Sequence, residues 1–306
     1  MSRTPAFKGV IPPVSTIFSE DETFDEAGMA KLINHLIERG VDGLFFLGTG
    51  GEFSQLSIEE RKEIAELAVK EVNGRVPVLI GTGSTSTRDV KELNAHAARI
   101  GADAAVVINP YYMKLSEENL YEHYSSIAKE AELPLLLYNF PALTGQDLSP
   151  SLILKLVKEY DSIVGIKETV DSIGHIREVI STVKEYKPEF CVFCGFEDLF
   201  LNTLSLGGDG IIAATGNFAP ELSADLYKSF IKGDTKKALE LNKTLTSLPF
   251  IYKLDAPFVN VIKEAITICG LDVSTAVLPP SRKLPDEKRE TLKETLVRLK
   301  LVNQFQ

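Results

Sequence analysis

The chain has 306 residues, 44% of them hydrophobic, enough for one large core or two modest ones. Its formal net charge of −10, with no Lys/Arg-rich block, excludes a nucleic-acid surface but leaves room for a small anionic substrate. No apolar run approaches the ~20 residues of a membrane-spanning helix. The N-terminal MSRTPAFKGVIPPV also lacks the apolar centre of a signal peptide, so the expected location is cytoplasmic.

Eight short apolar runs recur along the chain: GVIPPVSTIF (9–18), VDGLFFLG (41–48), VPVLIG (76–81), DAAVVIN (103–109), LPLLLYN (133–139), SIVGIK (162–167), FCVFCG (190–195) and DGIIAA (209–214). Most are continuously apolar, as parallel strands covered on both faces are. Helix-period segments separate most of them. SIEERKEIAELAVKEV (57–72) opens with Ser57 and carries Glu60 at the capping-box position. STRDVKELNAHAARIG (86–101) closes on Gly101, and SEENLYEHYSSIAKEA (116–131) opens with Ser116.

The run ends fall near 17, 48, 81, 109, 139, 167, 194 and 213. A strand with its crossover helix needs ~30 residues. Eight such units predict an α/β fold, a (β/α)8 TIM barrel. An open doubly wound sheet is the competing fold, but it requires a glycine-rich dinucleotide turn after the first strand, where this chain has PPVSTIF. Past residue 220 only helical patterns follow. The expected division is a catalytic barrel over 1–222 and a C-terminal helical extension over 223–306.

Barrel chemistry sits at the C-terminal strand ends. There the sequence delivers Gly48-Thr49-Gly50-Gly51-Glu52, Asn109-Pro110-Tyr111-Tyr112, Tyr138-Asn139, Lys167-Glu168-Thr169, Gly195-Phe196-Glu197-Asp198 and Thr215-Gly216-Asn217. Lys167 closes a buried strand, so its amine must be paired with Glu168 or Glu52, reach water, or serve as a neutral nucleophile. Burial favours the neutral amine, and a neutral amine makes a Schiff base with a carbonyl compound. Tyr138 is a proton shuttle or an ordinary strand-end tyrosine. The glycines of GTGGE let backbone N–H groups approach an anion, and Thr49 adds a hydroxyl.

Cys191 and Cys194 form a C-x-x-C inside an apolar strand, which reads as core packing. His35, His96, His123 and His175 stand apart without metal-ligand spacing. They read as surface or satisfied helix residues, and no metal site is expected.

GTGGEFSQLS, NPYY, YNFPALTG, GIKET and GGDGIIAATGN occur in the order and spacing of the class I pyruvate-aldolase family of dihydrodipicolinate synthases, N-acetylneuraminate lyases and 2-keto-3-deoxygluconate aldolases. The chain resembles that family over essentially its whole length. IPPVSTIF, LFFLGTGGEFSQL, LYNFPALTGQDL and DAPFVNVIKEAI are most similar to its bacterial 2-keto-3-deoxygluconate aldolase branch.

The resemblance implies a Schiff base between Lys167 and pyruvate or a 2-keto acid, with Tyr138 as proton shuttle and no cofactor or metal. It also implies that Thr49 holds the carboxylate and links Tyr138 to Tyr112 of a neighbouring subunit, within a homotetramer built as a dimer of dimers. The backbone near Ile212 would line the site. The implied partners are small 2-keto acid and aldehyde substrates.

Two departures stand out. Gly50 replaces a hydroxyl residue of the family's G-T-T-G-E, so the backbone of Gly50 and Gly51 must do more of the carboxylate holding. Leu143 replaces the arginine with which the synthases bind a carboxylate-bearing second substrate, which ranks a sugar-acid aldolase above a synthase. Thr169, Glu197, Asp198 and Asn217 are the candidates for holding sugar hydroxyls, with a solvated rim pair as the alternative for Glu197 and Asp198.

Overall fold

The structure is a computed structural model and describes residues 7–302. Eight parallel strands form one sheet: β1 (Gly9–Val10), β2 (Leu44–Phe46), β3 (Val78–Gly81), β4 (Ala104–Ile108), β5 (Leu135–Asn139), β6 (Ile163–Glu168), β7 (Cys191–Cys194) and β8 (Gly210–Ile211). Their hydrogen-bonded order is β1-β8-β7-β6-β5-β4-β3-β2. The remaining gap is bridged where Pro13 pairs in parallel with Phe45: Val14 N donates to Phe45 O at 2.7 Å, and Phe45 N to Pro12 O at 3.0 Å. The result is the expected (β/α)8 barrel, closed so that no sheet edge is left unpaired.

Every residue of β2 to β7 is buried, which is why these strands lack polar alternation. The first strand is far shorter than the 9–18 run predicts. Pro12 and Pro13 have no N–H to donate, so the regular ladder stops at Val10.

The barrel helices begin where the sequence places them. Helix Ile58–Val72 carries the full capping box: Ser57 N donates to Glu60 Oε2 at 2.7 Å and Glu60 N to Ser57 Oγ at 3.2 Å. A cap of this kind contributes about 1 kcal/mol. Ser86 and Ser116 cap Thr87–Arg99 and Glu117–Ala128 with one bond each, accepting from Asp89 N and Asn119 N. Gly101 follows the first of these at φ 86°, a left-handed stop that glycine adopts without strain.

Helix Pro220–Ile231 follows β8 and packs against β1, so it is continuous across the expected boundary at 222/223. Beyond it come Thr235–Leu245, a 3-10 segment Leu248–Leu254, Val259–Ile268 and Asp286–Arg298. Residues 303–306 of the expected extension lie outside the described residues. No helix among the described residues is long and apolar enough to cross a membrane.

Candidate active site

Strand register builds the site. Tyr138 on β5 and Lys167 on β6 are direct register partners, as are Asn139 and Glu168 one step on. Because side chains alternate, Tyr138 and Lys167 share the barrel interior while Asn139 and Glu168 turn out toward the helices. Lys167 is 3% exposed and forms no ion pair among the described residues. Its Nζ lies 4.1 Å from the Tyr138 ring centroid and 5.2 Å from that of Phe45.

Both carboxylates that could have neutralised Lys167 are committed elsewhere. Glu52 pairs with Lys263 at 2.5 Å. Glu168 Oε2 accepts from Asn139 Nδ2 at 3.1 Å and lies 3.5 Å from His175 Nδ1. Neither of these carboxylates pairs with Lys167, and its side chain is buried.

The Tyr138 hydroxyl meets Thr49 Oγ1 at 3.2 Å. Its ring is held edge-on by Phe45 and stacked on Phe140. Thr49, Gly50, Tyr138, Lys167, Thr169 and Ile212 line one cavity of about 140 Å³, closed by Pro13, Phe140, Gly195, Phe196, Tyr252 and Phe258. At about 30 Å³ per water that is room for a small organic acid.

Gly195 is there by necessity, since a Cβ would come within 2.1 Å of Thr169 Oγ1. Gly50 is not: a Cβ would meet only Pro13 O, at an ordinary 3.6 Å. Gly51 is tight, with Val14 O at 3.1 Å from the same position, and against expectation it does not line the cavity: its N–H donates to Gly48 O at 3.0 Å and its carbonyl accepts from Thr16 Oγ1 at 2.8 Å.

Other expected positions fall elsewhere. Glu197 is neither a solvated rim group nor part of the cavity wall. It is fully buried behind Tyr252, accepting from the Tyr252 phenol and from Thr215 N at 3.2 Å. Burial raises its pKa, against the hydrogen bond from Tyr252. Asn217 is also spent internally: its Oδ1 accepts from Ser15 N and its Nδ2 donates to Pro13 O and Ala214 O. That ties the segment after β1 to the β8 loop and leaves Asn217 no free polar atom for a hydroxyl.

Asp198 lines a second pocket of about 370 Å³ with Asp171, Thr246 and Lys253, which adjoins the first across Phe196 and Tyr252. Burial raises its pKa. Leu143 is 54% exposed on the short helix Pro141–Thr144, outside the cavity. Tyr112 is 97% exposed at φ 76°, and within this chain it does not reach Thr49.

Sequence reasoning passed over Phe45, Phe196, Tyr252 and Phe258. Phe45 lies inside an apolar strand run, and Phe196 stood among the strand-end residues without a role. The last two come from the extension, whose folding over the barrel mouth leaves no periodic signal.

None of the histidines or cysteines lines the Lys167 cavity. His96 pairs with Glu66 at 2.9 Å, and His175 with Asp147 at 3.2 Å. His123 is buried with Nδ1 on Thr87, but its Nε2 has no partner, and burial lowers its pKa to about 4. Cys191 and Cys194 are buried free thiols, and burial raises both, Cys191 to about 11.

The description "Dihydrodipicolinate synthetase family" matches residues 6–299. YagE of Escherichia coli K12, named for a proposed 2-dehydro-3-deoxy-D-gluconate aldolase activity, is 54% identical over 98% of this chain and 100% of its own. YjhH of the same organism, named for a proposed 2-dehydro-3-deoxy-D-pentonate aldolase activity, is 51% identical over 93% of this chain and 94% of its own. The crystal structure of YagE in complex with pyruvate superposes with a TM-score of 0.96 at 55% identity, covering 97% of this chain and 100% of that one. The dihydrodipicolinate synthase of Aquifex aeolicus gives 0.91 at 31% identity, over 97% and 100%. With the match spanning nearly the whole barrel and extension, the chain belongs to the dihydrodipicolinate synthetase family.

Proposed function

We infer that the protein is a lyase, a class I aldolase that reversibly cleaves a 2-keto-3-deoxy sugar acid such as 2-keto-3-deoxygluconate to pyruvate and an aldehyde such as glyceraldehyde. The observation that carries this reading is a buried lysine amine without a carboxylate partner, facing a tyrosine whose hydroxyl is bonded to a threonine. The names of YagE and YjhH and the pyruvate complex of YagE support it.

The neutral Lys167 amine adds to the C2 carbonyl. Tyr138 relays the amine proton to the carbinolamine oxygen and then gives its own proton to the departing hydroxyl, so water leaves and a protonated iminium stands beside a Tyr138 phenolate. Tyr138 as phenolate then takes the C4 hydroxyl proton. The C3–C4 bond breaks, its electron pair enters the iminium to give an enamine, and the aldehyde leaves. Protonation at C3 and hydrolysis release pyruvate and restore the amine. The protonated imine is itself the electron sink, so the chemistry takes no metal and no added cofactor.

Thr49 and the backbone of Gly50 hold the substrate carboxylate, beside Ile212 and Thr169. Thr169 Oγ1 is buried without a partner at the cavity wall and is the residue best placed to meet a substrate hydroxyl. Asp198 contributes from the adjoining pocket.

The same reading takes the enzyme as a cytoplasmic homotetramer in which Tyr112 of one subunit completes the Thr49–Tyr138 relay of the next. A synthase acting on aspartate semialdehyde ranks lower, because Leu143 offers no cation to a second carboxylate.

The test is a panel of 2-keto-3-deoxy sugar acids and aldehydes, read as pyruvate released or consumed. Pyruvate release from 2-keto-3-deoxygluconate, with much slower condensation of aspartate semialdehyde, is expected. The reverse ranking makes the protein a synthase.

A further inference from the structure

The loop that presents Thr49 is bent sharply at both ends. Leu47 and Glu52 stand at φ 56° and 57°, in the left-handed region that suits glycine. Such backbone persists only where the surroundings over-determine it.

At Glu52 the surroundings are visible. The carboxylate is 1% exposed, and Oε2 accepts from Leu278 N at 2.9 Å. Oε1 lies 2.5 Å from Lys263 Nζ as an ion pair, outside hydrogen-bond alignment. Lys263 is fully buried; its Nζ donates to Ala276 O at 2.6 Å and lies 4.6 Å from the Phe18 ring centroid. Burial lowers the Lys263 amine, against the opposing pull of the Glu52 carboxylate. Helix Val259–Ile268, which carries Lys263, packs on the Thr49–Gly51 turn.

Three stretches distant in sequence thus meet at one carboxylate and one ammonium sealed from water. A buried pair of this kind adds little stability beyond what apolar side chains of the same volume would give. What it does supply is a fixed position.

We propose that Lys263 is a positioning residue of the active site: through Glu52 it fixes the Thr49–Gly51 turn, and so sets both the Thr49–Tyr138 contact and the backbone that receives the substrate carboxylate. This rests on the carboxylate-binding reading of that turn. It gives the C-terminal extension a part in catalysis beyond covering the barrel mouth.

Lys263→Met alone leaves Glu52 buried without a counter-charge and strongly destabilised. The informative variant is therefore Lys263→Met/Glu52→Gln, which removes both charges and keeps an acceptor for Leu278 N. Borohydride trapping at graded pyruvate concentrations and turnover are measured alongside thermal melting.

The folded double variant is expected to label Lys167 at saturating pyruvate, with half-labelling displaced upward by about ten-fold or more and turnover reduced, as one misplaced polar contact would cause. Wild-type half-labelling and turnover in the folded double variant overturn the proposal. Lys263→Arg, which keeps the cation, is expected to hold half-labelling closer to the wild-type value than Lys263→Met at equal folded fraction; equal losses also overturn it. Absence of label in the wild-type protein instead defeats the aldolase reading itself, so the two failures are distinguishable.

Discussion

Lys167 and Tyr138 face each other across two adjacent parallel strands, with Nζ 4.1 Å from the phenol ring centroid. Backbone hydrogen bonding between β5 and β6 sets this relationship. The proposed nucleophile and its proposed proton shuttle are therefore aligned before any substrate enters, which is how orientation lowers a barrier.

Borohydride reduction in the presence of pyruvate should attach the acid to Lys167, found by mass mapping. Lys167→Ala should abolish the adduct. Tyr138→Phe should still form it slowly, while turnover falls by ~10²–10⁴-fold, the usual contribution of a general acid–base. An adduct on another lysine, or near-normal turnover in Tyr138→Phe, contradicts the assignment.

Gly50→Ser tests the departure from the family's hydroxyl. A Cβ there meets only ordinary contact, so the variant should melt like the wild type. Its added hydroxyl should lower half-saturating pyruvate several-fold, the scale of one net hydrogen bond of about 0.5–1.5 kcal/mol. Gly51→Ala, pressed to 3.1 Å from Val14 O, should instead lose stability. Melting curves and pyruvate titrations separate the two sites.

Tyr112 is expected to act across a subunit contact, because its side chain is almost wholly exposed in the single chain. Activity should fall as subunits dissociate on dilution. Tyr112→Phe should lower turnover more than pyruvate affinity, since it removes proton transfer and not carboxylate contact. A fully active monomer, shown by ultracentrifugation at assay concentration, contradicts this.

Glu168 gives a stability signature with a definite sign. Burial raises its carboxyl to about 8, with the nearby His175 pulling the other way. Between the unfolded value near 4.5 and about 8, the folded protein binds a proton that the unfolded chain has released. Stability from this group therefore falls as pH rises through that window. Glu168→Gln removes the dependence. It should melt with the wild type near pH 4 and progressively above it up to pH 8, by an amount on the order of a few kcal/mol. A gap that is constant with pH contradicts this account.

The fold was legible in the sequence because its signals are local. Continuous apolar runs at strand length, and serine caps ahead of helix-period segments, reflect interactions within a few residues. Local energetics therefore fixed eight strand–helix units and their order. The same periodicity placed Lys167, Tyr138 and Thr49 at strand ends, where a barrel puts its chemistry.

The extent of β1 was the local misreading: apolar character continued to Phe18, while Pro12 and Pro13 withheld the N–H groups a ladder needs. What remained was decided by long-range packing. Whether Lys167 had a counter-ion depended on Glu52 finding Lys263 and Glu168 finding Asn139, choices made across 211 and 29 residues of chain. Glu197 and Asn217 were candidates for holding sugar hydroxyls because strand-end position says nothing about which way a side chain turns. Burial against Tyr252 and against the segment after β1 commits both elsewhere. Tyr252 and Phe258 reach the cavity only because the extension folds over the barrel mouth. A contact of that kind belongs to the assembled surface, and no run of neighbouring residues encodes it.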